Sequence, residues 1–315
     1  MVDGKQQWKG WVYLLPALIL LAIFTFWPIV NTIYMAFANG YSSLGNAGGD
    51  AVYEFGIENF KKVLEYKNFL NCLKNTCLLC VITVPVSTLL ALLISVALNS
   101  IKVLNRTLQT IYFLPYVTNS IAIGMVFAMM FNIVGTNLGG VNENIITAGI
   151  VNNLIEAFGG SPINWINSGS KYWANITVMI IYIVWSALPF KILILLGGLQ
   201  SVNKQYYDAA KIDGASRFTT FLRITVPLLS PMIAYVVITA FIGGFKEYTS
   251  IVGIFGDKMG PAGNEYSLNT MVGYIYSQIS NDGYGTASAA AILLFLIIFA
   301  VTLVNLWVSK KKVHY

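Results

Sequence analysis

Charged residues are scarce in this sequence, and their scarcity limits the class of protein it can encode. Only 10% of the 315 residues are Asp, Glu, Lys or Arg, whereas 57% are hydrophobic and the mean hydropathy is +0.68. Soluble domains carry about 25% charged residues, so a soluble domain is excluded. The apolar runs are long and continuous rather than alternating, which favours membrane-spanning helices over a β-barrel.

Motifs for chemistry are also missing. The sequence has no P-loop, no H-E-x-x-H and no G-x-S-x-G pattern, and its single histidine, His314, lies in the C-terminal tail. Cys72, Cys77 and Cys80 fall within one apolar run with no His or carboxylate near them in sequence, so we interpret them as packing thiols. We therefore expect a non-catalytic chain that binds no metal and no cofactor itself.

Six apolar runs are each long enough to cross a membrane as a helix. They cover residues 11–37, 72–98, 108–134, 173–196, 228 to about 245, and 287–308. The first run is too long for the apolar core of a signal peptide and lacks a small-residue cleavage site, so we interpret it as a retained anchor. The sequence predicts an all-α membrane protein with six transmembrane helices in a single domain, 11–308, between a tail at 1–10 and a basic tail at 309–315.

The distribution of basic residues predicts how the chain is oriented in the membrane. The two termini, the 99–107 loop and the loop between the fourth and fifth runs hold eleven Lys and Arg against three acids. The opposite loops, with their adjoining helix ends, hold seven Lys and ten acids, and Lys191 lies within the fourth run. Because basic residues concentrate on the cytoplasmic side, we expect both termini in the cytoplasm. The net charge of +6 then needs no nucleic acid partner to explain it.

The 203–231 segment is a polar interruption between two membrane-length runs, and its residue pattern is typical of ordered helices. Residues 206–212 predict two helical turns. Gly214 predicts a turn, since glycine adopts the left-handed conformation that ends a helix at little steric cost. Ser216 is a typical N-cap for a second helix, and Pro227 suits the first turn of the membrane helix that follows. Spacing alone does not distinguish this helix–Gly–helix projection from an ordinary amphipathic loop.

The residues of this segment resemble the EAA loop of ABC-importer permeases. That family pattern is Glu-Ala-Ala, three residues, Gly, nine residues, then Ile-x-Leu-Pro. This chain has Asp208 in place of the Glu and Val226 in place of the Leu. Residues 212–216 and 227–231, and the first apolar run, are similar to the MalF-type permeases of the carbohydrate branch. The resemblance implies a MalF/MetI-like fold in its compact six-helix form.

The resemblance also implies a coupling site and a set of partners. A cytoplasmic ATPase would contact the 203–227 loop through Asp208, Ala209, Ala210, Asp213, Gly214, Ala215, Ile224 and Pro227. Two such ATPase subunits would hold the ATP and Mg²⁺, and a second, related permease would complete a heterodimer. An external solute-binding protein would deliver a carbohydrate, a disaccharide or oligosaccharide. The chain would then lie in the plasma membrane of a bacterium or archaeon, surrounded by lipid.

Polar and aromatic residues within or beside the apolar runs are the candidates for a substrate path. Sugars offer hydroxyls for hydrogen bonds and C–H faces that pack on aromatic rings. Tyr182 and Trp185 share a helix face, and a Lys246–Glu247 pair suits the outer end of a conduit better than lipid, where it would be costly. The candidates are Tyr182, Trp185, Phe241, Phe245, Lys246, Glu247, Tyr248, Tyr284 and Ser288. The alternative for each ring is helix packing or an interfacial belt.

Three other functions stay open on the sequence. A secondary transporter would need inverted repeats or intramembrane ion sites, and we find no convincing internal repeat. A membrane-embedded enzyme would need a nucleophile–base or metal set, which we do not find either. An EAA-type permease for a peptide, phosphate or glycerol phosphodiester is the most serious alternative, because only the wider similarity to the carbohydrate branch argues against it.

Overall fold

The computed structural model describes residues 7–41, 53–101, 105–136 and 145–312. These parts of the chain are mainly helical. Their helices are α1 (Gln7–Leu21), α2 (Trp27–Phe37), α3 (Glu58–Glu65), α4 (Phe69–Ser100), α5 (Asn105–Val117), α6 (Ser120–Phe131), α7 (Ile150–Ala157), α8 (Tyr172–Ser201), α9 (Lys204–Ile212), α10 (Arg217–Thr220), α11 (Val226–Leu228), α12 (Ser230–Gly244), α13 (Thr249–Phe255), α14 (Met271–Ser280) and α15 (Tyr284–Lys312), with π-helical segments at Ala22–Phe26 and Phe221–Thr225. A short antiparallel pair, β1 (Ile133–Thr136) and β2 (Ile145–Ala148), lies in the Gly- and Asn-rich connection before α8.

Six membrane-length stretches are present in the described chain when each bent helix pair counts as one span. Four are continuous: Trp8–Phe37, Phe69–Ser100, Tyr172–Ser201 and Tyr284–Lys311. The other two join Thr110–Val117 to Ser120–Phe131 with a bend of 105°, and Arg217–Leu228 to Ser230–Gly244 with a bend of 68°. Each predicted run overlaps one of these six stretches. The predicted class, an all-α membrane protein, is confirmed, with the β1–β2 pair as an addition.

The third and fifth runs are broken, although their apolar lengths predicted continuous helices. At the first break Asn119 caps α6, since its Oδ1 accepts from the backbone N–H groups of Ile121 and Ala122 at 2.9 and 3.3 Å. At the second break Pro231 lies in the first turn of α12, and having no N–H it cannot bond the carbonyl four residues earlier. The prediction that Pro227 begins the spanning helix is wrong, because Pro227 belongs to the short helix α11.

The chain forms two compact units, and the first consists of Met1–Phe69, where described, with Tyr274–Leu296. Asn59 on α3 fixes the chain at the end of α2. Its Nδ2 donates to the carbonyls of Ala36 and Ala38 at 3.1 and 3.0 Å. The first spanning helix buries none of its most apolar window within the chain, as expected of a helix that faces lipid or another membrane protein.

The second unit consists of Leu70–Gly273 and Ile297–Tyr315, where described. One core forms where α4, α6, α8 and α13 meet, and a second forms where α4, α8 and α12 meet. The backbones of α6 and α13 are in direct contact. A Cβ added at Gly124 would lie 2.7 Å from the Cα of Gly253, so this crossing requires glycine. The helices α4, α8 and α12 of these cores also line the candidate site.

Candidate functional site

A cavity of about 330 Å³ opens within the second unit, between α4, α5, α8 and α12. Much of its wall is aliphatic, and its polar groups come from every one of these helices and from the residues that follow α12. A cavity of this size, largely apolar with a few convergent polar groups, is typical of a small-molecule site. The side chains that bring aromatic surface, hydroxyls or charge to it are Thr83, Ser87, Tyr116, Ser186, Phe190, Lys191, Thr239 and Glu247.

Two aromatic rings of the cavity wall are stacked on each other. Tyr116 on α5 and Phe190 on α8 have ring centroids 5.8 Å apart and are inclined by only 17°. Tyr116 is half exposed and lies one residue before the end of α5, at the break before α6. The stacked pair therefore brings aromatic surface to a cavity that also has hydroxyl groups, and aromatic surface can pack on the C–H face of a sugar ring.

Lys191 on α8 is the cation of the cavity, and it is only 4% exposed. Its Nζ donates to Ser87 Oγ at 2.6 Å, to Thr88 Oγ1 at 3.1 Å and to Val84 O at 3.4 Å, all on α4. The Thr88 hydroxyl in turn donates to Val84 O at 2.7 Å, and the Ser87 hydroxyl donates to Thr83 O. Both hydroxyls therefore present lone pairs to Nζ, which matches the three hydrogens of an ammonium group.

Glu247 is the carboxylate of the cavity and the one residue predicted for the substrate path that lines it. Its Oε1 accepts from the backbone N–H groups of Tyr248 and Ser250, both at 3.1 Å, at the start of α13. Lys246 is exposed, and the ion pairs of the described residues include neither Lys246 nor Glu247. Backbone N–H groups, rather than the neighbouring lysine, hold the charge of Glu247.

Tyr182 and Trp185 lie on one helix face, as predicted, and both contact Phe127, with centroid distances of 4.9 and 5.2 Å. Tyr182 is fully buried in the core, and its hydroxyl donates to Ser120 O at 2.6 Å. Core packing is therefore sufficient to explain Tyr182, and its predicted place on the substrate path finds no support in this conformation. Trp185 is partly exposed, and its role in the path stays a prediction.

The remaining candidates lie apart from the wall of this cavity. Phe245 is buried, Phe241 is half-buried, and Tyr248 packs against the core between α6 and α13. Tyr284 and Ser288 lie one helical turn apart on α15, in the first unit. Their contact with substrate also stays a prediction.

The structure gives no geometry for metal or thiol chemistry in the described residues. No group of three or more His, Cys, Asp or Glu side chains there is placed to hold a metal ion. Cys72 and Cys80 are buried, Cys77 is half-buried, and all three thiols are free. Cys80 lies against the backbone of α12, with its Sγ 3.7 Å from Phe241 O, as a packing residue would.

The 203–231 segment has the helix–Gly–helix form that its residues predict. Asn203 caps α9 by accepting from the N–H of Gln205 at 3.0 Å. Gly214 has φ +69°, the left-handed conformation that favours glycine. Ser216 caps α10 by accepting from the N–H of Thr219 at 3.1 Å. The chain therefore reverses direction between two capped helices, and the projection has a defined shape.

Ala210 is covered by the chain itself, 6% exposed. Nearby in the segment, Thr225 is also buried, and its hydroxyl donates to the hydroxyl of Tyr207 at 3.4 Å. The small side chain of Ala210 therefore packs within this chain, and its predicted contact with an ATPase stays a prediction. Ala209 and Asp208 are exposed, and Asp208 forms a solvent-exposed ion pair with Lys211 at 3.6 Å.

Large apolar side chains are exposed on the same segment. They include Tyr206, Ile212, Phe218 and Leu222, of which Ile212 is 87% and Phe218 is 71% exposed. Exposed apolar groups grouped on one projection are typical of a surface that another protein covers. The sequence motif did not include any of these four residues.

Known proteins similar to this chain are membrane permeases. Residues 83–314 match the family described as "Binding-protein-dependent transport system inner membrane component". The lactose transport system permease protein LacF of Rhizobium radiobacter is 26% identical over 307 residues, covering 96% of this chain and 95% of the relative. The arabinooligosaccharides transport system permease protein AraP of Halalkalibacterium halodurans is 29% identical over 309 residues, covering 97% and 89%.

A solved structure has the same fold. It is a bacterial alginate ABC transporter in complex with an alginate pentasaccharide-bound periplasmic protein, and one of its chains superposes with a TM-score of 0.76 at 20% identity, covering 99% of this chain and 98% of that one. This likeness shows the fold, and the family match over residues 83–314, which is more than half of the chain, shows the family. The chain belongs to the inner membrane components of binding-protein-dependent transport systems.

Proposed function

We infer that this chain is the permease subunit of an ATP-driven importer and forms half of the path for a carbohydrate. The observation that carries this inference is the family match over residues 83–314. The two relatives described above extend the similarity over almost the whole chain and are named for sugar transport. A disaccharide or short oligosaccharide is the cargo that we propose.

The cavity in the second unit supports a carbohydrate cargo. The stacked Tyr116–Phe190 pair brings aromatic surface that can pack on the C–H face of a sugar. Hydroxyl groups of Ser186 and Thr239 lie on the same wall and can both donate and accept hydrogen bonds with sugar hydroxyls. Glu247 adds a carboxylate acceptor. A peptide, phosphate or glycerol phosphodiester cargo is not favoured by the relatives.

The 203–231 segment is the part that we propose to couple transport to ATP hydrolysis. The sequence has no P-loop, so energy must enter from a partner. The segment is a short body fixed by two caps and a left-handed glycine, and it continues directly into α11 and α12. A partner that moves this body therefore moves a membrane helix with it. Its exposed apolar groups, Ile212 and Phe218 foremost, would be covered by the docked ATPase.

The complete importer that we propose contains four further protein components. A second permease would form a heterodimer with this chain, two cytoplasmic ATPase subunits would bind ATP and Mg²⁺, and an external binding protein would deliver the sugar. Both termini and the 203–231 segment would face the cytoplasm, as the charge asymmetry indicates. This chain would itself catalyse no reaction.

Uptake measurements in cells test this function. Cells that lack this chain should lose the uptake of at least one labelled disaccharide or oligosaccharide, and reintroducing the chain should restore it. Depletion of ATP with the ion gradients intact should abolish that uptake, since the energy comes from hydrolysis. Uptake that survives ATP depletion would assign the chain to secondary transport instead.

A further inference from the structure

We propose that Lys191 forms a subsite for an acidic group of the cargo, a carboxylate, phosphate or sulfonate, on the α4 side of the cavity. The proposal rests on the proposed function, because it assigns a negative charge to the carbohydrate that the importer carries. It makes Lys191 a residue that determines cargo specificity.

The charge of Lys191 has no negative partner in the described structure. Its Nζ is surrounded by Ser87 Oγ, Thr88 Oγ1 and Val84 O, which are all neutral. The ion pairs of the described residues do not include it. Buried charges in proteins are normally paired, because an isolated charge is costly to remove from water. Ionisable residues within membrane spans accordingly mark substrate or ion pathways by default.

Joining α4 to α8 does not require a charge. Ser95 on α4 already makes a neutral link of this kind, since its hydroxyl lies 3.2 Å from Ile192 O on α8. A glutamine at position 191 could also donate to the hydroxyls of Ser87 and Thr88 without the cost of a buried ammonium. The positive charge itself is therefore the feature that helix packing leaves unexplained.

An anion can reach Lys191 through the cavity. Lys191 and Ser87, whose hydroxyl accepts from Nζ, both line its wall, so the ammonium lies beside residues that border open space rather than in a sealed core. Two of the three hydrogen bonds of Nζ are well formed, whereas the contact with Val84 O is 3.4 Å long, beyond the usual range for an N–H···O bond. The hydrogen directed at Val84 is the one that an incoming carboxylate or phosphate oxygen would accept, in a shorter, charge-assisted bond.

Glu247 orients such a cargo rather than neutralising Lys191. The two side chains line one cavity but are not paired with each other, and Oε1 of Glu247 is already held by two backbone N–H groups. Its negative charge repels an acidic group and accepts from neutral sugar hydroxyls. A sugar with one acidic end would therefore bind with that end toward Lys191.

Measurements of sugar binding to the purified importer complex in nanodiscs test the proposal. The binding protein is left out, because its own selectivity would otherwise contribute to the measured affinities. The probes are two matched pairs, cellobiose with cellobiouronic acid, and galactobiose with digalacturonic acid. Wild type should bind at least one acidic member more tightly than its neutral counterpart. Lys191→Gln keeps hydrogen-bond donors and removes the charge, so it should weaken that acidic ligand by about tenfold to a hundredfold. Affinity for the neutral counterpart should stay within about twofold of wild type.

The matched control is Thr88→Val, which removes one acceptor of Nζ and keeps the charge. It should preserve the preference for the acidic member. Equal wild-type affinity for both members of each pair would overturn the proposal, and so would parallel losses for acidic and neutral sugars in Lys191→Gln. If either result were obtained while ATP-dependent sugar uptake was intact, the proposed function would still hold, and Lys191 would serve only to connect α4 to α8. Failure of the proposed function would instead appear as the absence of ATP-dependent uptake of any sugar.

Discussion

Substitution of Gly214 should uncouple the permease from its ATPase without removing it from the membrane. Gly214 has φ +69°, and a Cβ added there would meet no atom within 4 Å, so the cost is one of backbone conformation alone. For a residue with a Cβ the left-handed conformation costs about 1–2 kcal/mol, which lowers the population of the native turn about 5- to 30-fold. Gly214→Ala should weaken ATPase docking by about that factor, and the β-branched Gly214→Val should weaken it further.

The assay is co-purification of the ATPase with the permease, followed by ATP turnover stimulated by the loaded binding protein in reconstituted membranes. Gly169 offers a matched control, because it has φ +74° and also no atom within 4 Å of an added Cβ. Gly169→Val carries the same backbone strain outside the 203–231 segment and should co-purify with normal amounts of ATPase. Normal docking and normal stimulated turnover in both Gly214 variants would refute the reasoning and leave this segment as an ordinary loop.

Three further predictions concern orientation and the cavity. In a background without the native cysteines, Gly169→Cys should react with an impermeant thiol reagent from outside intact cells and Gly214→Cys should not; the reverse pattern would invert the topology. Tyr182→Phe removes the hydrogen bond to Ser120 O and should lower the free energy of unfolding by about 1 kcal/mol, as measured by denaturation. Its affinity for sugar should be unchanged, and a selective loss of that affinity would instead place Tyr182 on the substrate path. Trp185→Ala and Tyr116→Ala should each lower the rate of sugar uptake while the importer still assembles, and normal uptake in a variant would assign that ring to packing.

Much of the fold could be predicted from the sequence because membrane helices depend on local composition. A long apolar run must satisfy its own backbone hydrogen bonds and therefore becomes helix, so all six runs were found. The breaks were not found, because an apolar run carries little periodic signal. Asn119 interrupts the third run near its middle, and Pro231 lies near the start of the fifth. The β1–β2 pair was missed for a different reason, since the pairing of two short segments is a tertiary property.

Some features of the candidate site could also be predicted from the sequence, and others could not. The caps and the left-handed turn of the 203–231 segment depend on neighbouring residues and were predictable, including Gly214 and Ser216. The cavity depends on which helices meet, so Tyr116 and Phe190 had no signal in the sequence beyond being aromatic. The sequence shows Lys191 as a lone cation in an apolar run. Only the fold shows that hydroxyl groups of α4 surround its ammonium group.

Transport in a defined system tests the central claim most directly. Proteoliposomes containing this chain, its partner permease, the ATPase subunits and the binding protein would be supplied with labelled disaccharides and short oligosaccharides. We predict that at least one sugar accumulates when ATP is available to the ATPase subunits and that dissipating ion gradients leaves this accumulation unchanged. Accumulation driven by an ion gradient without ATP, or ATP-dependent accumulation of a peptide or phosphate but of no sugar, would contradict the account.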